Sequence, residues 1–127
     1  MTTKIGNGSI IVEVWLKTRE ALIEQAQSPT TGWLIGEAGR GPVDFSKYAH
    51  EADICFDPAN VMQIGPGNFE TECLESAWRL TQSIDENWNH EHPCRSSMVD
   101  DVFVLKDTNT GISSTWRIAP VGFVEAK

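Results

Sequence analysis

The stretch Phe69-Glu70-Thr71-Glu72-Cys73-Leu74-Glu75-Ser76-Ala77-Trp78-Arg79-Leu80-Thr81-Gln82-Ser83-Ile84-Asp85-Glu86-Asn87-Trp88 decides the fold. Phe69, Cys73, Ala77, Leu80, Ile84 and Trp88 follow one another at steps of three or four, so they share one helical stripe, and Leu74 and Trp78 widen it. This spacing predicts a helix over 69–88 with the stripe, both tryptophans included, in the core. Asn68 is placed to cap the first amides, and Glu70 and Glu72 sit near the positive end of the helix dipole.

Beyond the helix, Val102-Phe103-Val104-Leu105 is apolar on both sides, as in a central strand. Asp107-Thr108-Asn109-Thr110-Gly111 reads as a turn, rich in residues that accept positive φ, and Ser114 to Val121 as the returning strand, reaching the sheet edge at Pro120. Before the helix, Ile10, Val12, Val14 and Leu16 alternate with Ile11, Glu13, Trp15 and Lys17, a period of two that predicts a strand with both faces shielded. Thr18 is a suitable N-cap for a short helix through about Gln27, and Ser28-Pro29-Thr30-Thr31-Gly32 supplies its stop.

Between Trp33 and Gly67 the apolar pieces are short: Trp33-Leu34-Ile35, Ile54-Cys55-Phe56 and Val61-Met62-Gln63-Ile64 sit among Gly and Pro and predict two or three short strands and loops. The run Gly36 to Pro42 lacks both phosphate-binding glycine patterns and reads as a flexible turn. The expectation is one α+β domain over 1–127, an antiparallel sheet of four to six strands carrying one main helix and one short helix on one face.

At 127 residues and 40% hydrophobic content the chain can fill one core. No apolar run approaches the roughly 20 residues that cross a bilayer, and Met1 to Gly8 lacks the apolar centre of a secretory signal. Cys55, Cys73 and Cys94 form no C-x-x-C pair. A soluble, cytoplasmic protein with reduced thiols is expected. Eighteen acidic against ten basic side chains give a formal net charge of -8, which repels nucleic-acid phosphates and disfavours direct DNA or RNA binding.

Chemistry-bearing residues gather between 90 and 101. His90, His92 and Cys94 are close together, but H-x-H-x-C matches no common zinc pattern and needs a fourth ligand such as His50, Cys55 or Cys73, so no metal and no cofactor is expected. An enzyme would draw on His90, His92, Cys94, Arg95 and Asp101. Adjacent aspartates on a strand point to opposite faces, so Asp100 and Asp101 are not expected to form one acid/base pair, and Cys73 on the helix stripe is expected to be buried and inert. A binding module would instead offer Glu70, Glu72, Glu75, Asp85, Glu86 and Glu91 to a basic partner protein.

The block from Leu74 to Phe123 resembles the YodL-like domains of small and polyvalent proteins of phages, plasmids and conjugative elements. The matching pieces are Leu74 to Ile84, with its "LT-S-I" ending, Arg95 to Val102 against "R-S-x-S-V-G-D-V", and Trp116 to Phe123 against "Y-x-V-x-x-x-G-F". Asp100 replaces the pattern's Gly and Trp116 its Tyr, so the turn into the strand is expected to differ in backbone shape. The resemblance implies an accessory protein of a mobile element, non-enzymatic and acting through its surface, and carries no reaction or ligand set. A small hydrolase or nucleotide-processing enzyme using His90 to Arg95 and Asp101 is the alternative. The lead-in to the last hairpin is also similar to PUA and ASCH β-barrels, which would imply binding of RNA or a nucleotide.

Overall fold

The computed structural model describes residues 2–27, 42–57, 69–83, 88–89 and 94–126. Its elements are β1 (Thr3–Gly6), β2 (Ile10–Lys17), α1 (Arg19–Gln27), a 3-10 turn (Phe45–Lys47), β3 (Tyr48–Phe56), α2 (Phe69–Leu80), β4 (Val102–Asp107), β5 (Ile112–Ile118) and β6 (Phe123–Glu125). The six strands form one sheet in the order β1-β3-β2-β4-β5-β6. All neighbours are antiparallel except β1 and β3, so the α+β expectation holds with one parallel pair added.

The parallel pair follows from a short connection. The chain leaves β1, passes over the end of β3 and enters β2 on the far side, which forces its backbone against the last residues of β3. Gly8 lies so close to the Phe56 carbonyl that a Cβ there would overlap it, and both Gly6 and Gly8 hold positive φ, at 77° and 149°. Only glycine fits such a crossing.

The alternation of β2 sorts the sheet into two faces. Ile10, Val12, Val14 and Leu16 point to one side with Ala52, Ile54, Phe103 and Leu105, and Cys73, Leu74 and Ala77 of α2 close over them. Val12, Val14 and Phe103 have no exposed surface. Thr18 caps α1 as expected, its hydroxyl accepting from the Ala21 amide at 3.2 Å. β4 lies between β2 and β5, as its two-sided apolar character predicts. Gly111 closes the hairpin in the left-handed region with its amide on the Asp107 carbonyl at 2.8 Å.

The main helix departs from its expected span, ending at Leu80. Thr81 Oγ1 donates to the carbonyls of Ala77 at 2.9 Å and Trp78 at 3.1 Å, Gln82 Nε2 takes Trp78 O at 3.0 Å, and Ser97 N takes Thr81 O at 3.0 Å. Side chains thus satisfy carbonyls that another turn would have used. At about 100° per residue the buried stripe centres between Ala77 and Thr81, and Trp78 and Leu80 fall on its flanks. Trp78 is 41% exposed and Leu80 50%, which corrects the assignment of both to the core. Trp88 is buried, but from beyond the helix, with Nε1 donating to Arg95 O at 2.8 Å.

Three further expectations change. Ile54-Cys55-Phe56 is the end of a nine-residue strand, β1 was not foreseen, and β5 stops at Ile118 and pairs with β6, so it is not an edge. The pieces 33–35 and 61–64, the run 36–41, the stop 28–32, Asn68 and Ile84 lie outside the described residues.

Leu74→Ala and Phe103→Ala remove fully buried side chains and are expected to lower stability by roughly 2–5 kcal/mol. Leu80→Ala, on an exposed flank, is expected to stay within about 1 kcal/mol of the wild type. Urea denaturation of the three variants measures the contrast.

Candidate functional site

The segment 94–101 ends at the lead-in to β4, and its chemistry is committed to structure. Asp101 is fully buried and its carboxylate accepts four donors: Arg95 Nη2 at 2.7 Å and Lys17 N at 2.9 Å on Oδ1, Arg95 Nη1 at 2.6 Å and Met98 N at 2.8 Å on Oδ2. The two parallel guanidinium contacts form the bidentate fork of a strong charge-assisted pair. Arg95 also donates to Lys17 O at 3.1 Å and Ser96 O at 3.0 Å, and its hydrogen bonds with Asp101 raise its pKa above the ordinary value despite burial. Arg95 and Asp101 therefore tie the end of β2 to the start of β4.

Asp100 completes the knot. It is the sole described non-glycine residue with positive φ, at 76°, so it adopts the left-handed conformation that glycine favours. Its carboxylate pairs with Lys17 Nζ and lies 3.7 Å from Arg117 Nε, while its carbonyl accepts from Tyr48 Oη at 2.9 Å. Desolvation by burial, with the Asp100 charge adding to it, pushes the Tyr48 hydroxyl pKa up. Asp100 and Asp101 lie in the turn before β4 and not on the strand, which corrects the premise of opposite strand faces. They nevertheless take separate partners, so they form no acid/base dyad.

Cys94 faces a hollow of about 350 Å³ that Lys17, Arg19, Leu22, Glu51 and Arg95 help to line. Its thiol donates to Glu51 Oε2 at 3.2 Å and lies 3.7 Å from Asn89 Nδ2. Burial, and then the hydrogen bond to Glu51 and that group's charge, pushes the Cys94 pKa up to about 12. A nucleophile needs the opposite shift. Cys73 is buried as expected, with desolvation raising its pKa to about 11. His90 and His92 lie outside the described residues, as do Asp85, Glu86 and Glu91.

The remaining acidic candidates are on α2. Glu70 is exposed, Glu72 and Glu75 half-buried, and Glu75 pairs with Arg79 one turn on at 3.4 Å. Glu70 and Glu72 occupy the first turn, where the dipole favours them. Beside this helix runs an open groove of about 540 Å³ between α2 and the β5–β6 turn, with Trp78, Met98, Val99, Pro120 and Phe123 among its walls and Glu75 at its side. Met98 is 46% exposed, and the neighbouring Val121, in the β5–β6 turn, 92%.

A second polar group sits on the face opposite α2. Glu13 of β2 and His50 and Asp53 of β3 bring their donor atoms within 4.8 Å of one another. His50 and Asp53, three apart, share a side because β3 carries one extra residue between the Val14–Ala52 and Trp15–His50 pairs, a bulge that re-aims the strand. Desolvation opposes ionisation of Glu13, but hydrogen bonds from Lys106 and Trp15 outweigh it and hold its pKa below the ordinary carboxylate value.

From the sequence, His50 stands out only as a possible fourth ligand for the His90–Cys94 cluster, and neither this group nor the groove is legible. The trio is split by nearly forty residues of chain, and Glu13 interrupts the apolar residues of β2 between Ile11 and Trp15. The groove's signal was Trp78 on the edge of the helix stripe.

No protein-family model, curated protein or solved structure matches the chain. No helix among the described residues is long and apolar enough to cross a membrane.

Asp101→Asn keeps the shape but turns an amide donor toward groups that are already donors and leaves Arg95 without its partner charge. The expected loss is about 3–5 kcal/mol, and Arg95→Lys, which keeps charge but loses the fork, should lose less; chemical denaturation decides both. Cys94 is expected to react with iodoacetamide at pH 8 about a thousandfold more slowly than a free cysteine, because so little of it is thiolate, and Glu51→Gln should speed it; mass spectrometry over time reads the rates.

Proposed function

We propose that the protein is a non-enzymatic interaction module that holds a short basic segment of a partner protein in the groove beside α2. The observation that carries this reading is the exposure of Trp78 and Met98 along an open apolar groove next to a helix that bears Glu70, Glu72 and Glu75. Large apolar side chains are ordinarily buried, and a wall of them rimmed by charge is the pattern of a docking site. The net charge of -8 favours a cationic partner and speeds its encounter.

Catalysis finds little support in the same region. Arg95 and Asp101 spend their hydrogen-bonding capacity on each other and on backbone, and the Cys94 thiol is held protonated by burial and Glu51. An RNA-binding reading meets the acidic charge, which opposes phosphate contacts. The resemblance to YodL-like domains supports an accessory role in a phage or other mobile element, with the partner a host or phage protein.

Selection of random dodecapeptides on the immobilised protein provides a direct test. Enriched peptides are expected to carry an apolar or aromatic anchor flanked by Lys or Arg, and to bind more weakly as salt rises. Trp78→Ala should weaken them by about 2 kcal/mol, roughly thirtyfold, while Ile112→Ala, at an exposed site on the hairpin, should not. Peptides without basic residues, or binding indifferent to Trp78→Ala, would sink the reading.

A further inference from the structure

We propose that Glu13, His50 and Asp53 form a binding site for a divalent transition-metal ion, with zinc the best fit, on the sheet face opposite α2. Among the described residues this is the one place where three such side chains converge, with donor atoms within 4.8 Å of one another. An ion about 2.0–2.2 Å from nitrogen and oxygen donors in tetrahedral array holds them roughly 3.3–3.6 Å apart, so small side-chain rotations close the set. One imidazole and two carboxylates suit zinc and its neighbours. Calcium and magnesium prefer oxygen alone.

The surroundings resemble the support that metal ligands receive. Trp15 Nε1 donates to Glu13 Oε1 at 3.0 Å, and the same indole stacks on His50 with centroids 4.6 Å apart and planes 10° from parallel. One side chain thus orients two of the three ligands from outside the set, as outer-shell partners do. Phe45 packs edge-on against Trp15 at 4.8 Å and keeps that indole in place. The bulge in β3 brings the third ligand, Asp53, to the same side as His50.

The pairs now present are ones an ion can replace. His50 Nε2 lies 2.7 Å from Asp53 Oδ1, and Lys106 Nζ 2.6 Å from Glu13 Oε2. The Lys106 side chain is 45% exposed, so its ammonium can swing into water when a dication neutralises Glu13. His50 binds as neutral imidazole through Nε2 with its proton on Nδ1, and three protein ligands leave the remaining position to water.

Titration of the untagged, chelator-treated chain with zinc and with cobalt tests the site. One equivalent should bind, and the cobalt complex should show visible bands without a thiolate-to-cobalt charge-transfer band. His50→Ala and Asp53→Asn should weaken binding at least about a hundredfold, with circular dichroism confirming that both still fold. Lys106→Met, which removes the competing ammonium, should tighten it about tenfold. A purely structural trio gives no reason for that gain. The double variant His90→Ala/Cys94→Ser should bind as the wild type does. No binding by the wild type, binding unchanged in His50→Ala, a thiolate band that vanishes with Cys94→Ser, or weakening in Lys106→Met would each overturn the proposal.

Discussion

The buried pair of Arg95 and Asp101 is the interaction on which the rest of the arrangement depends. A carboxylate with no exposed surface is tolerable only when every lone pair is met, and Asp101 meets its donors from two chain segments: Lys17 N at the end of β2, and Met98 N with the Arg95 fork in the preceding loop. Its backbone joins in a third, since Ile118 N donates to Asp101 O at 2.9 Å and Asp100 N to Ile118 O at 2.8 Å. The ends of β2, β4 and β5 are thereby fixed at one point. The same point positions one wall of the groove, because Ser97, Met98 and Val99 lie between the two charged partners.

A second constraint is the division of the sheet into two unlike faces. The face under α2 is apolar, and its packing leaves no place for charge. The other face carries Glu13, His50, Asp53, Lys106 and Arg117, yet Val102 and Val104 are buried there as well. At one end the segment before β3 and the start of β3 reach across: Pro42 O accepts from Arg117 Nη2 at 3.0 Å, and Tyr48 Oη donates to Asp100 O. Partial cover of this kind lets polar groups pair at reduced dielectric while their strands remain central, and so their geometry is set by the sheet and not by solvent.

What the sequence made legible was the periodic part. The alternation over Ile10 to Lys17, the Thr18 cap, the two-sided apolar run of β4 and the hairpin turn each rest on local rules and stand in the structure as read. The helix end is not legible because no Gly or Pro marks the spot and part of the stop comes from afar: Ser97, sixteen residues on, takes the Thr81 carbonyl, beside the local contacts of Thr81 and Gln82. β3 was fragmented because Tyr48-Ala49-His50-Glu51-Ala52-Asp53 is polar by composition, and a bulge breaks its period of two. At the candidate site, the importance of Arg95 and Asp101 was legible but not its kind. A buried ion pair and a catalytic pair use the same residue types, and only the count of donors on Asp101 separates them. At position 100 aspartate holds a positive φ of 76°, a conformation that glycine holds at less strain.

The knot also alters what the rest of the molecule presents. Lys17, Arg95 and Arg117 meet Asp100 and Asp101 there, so three of the ten basic side chains of the chain are spent on the knot. Lys47, Arg79 and Lys106 are likewise held in pairs with Glu24, Glu75 and Glu13. Cations that stabilise the interior or answer a neighbouring carboxylate do little to offset the field along Glu70 and Glu72, which stand at the start of α2 where the helix dipole compensates them only partly. On the helix that borders the apolar groove, Arg79 answers Glu75, and Glu70 and Glu72 in the first turn carry the acidity.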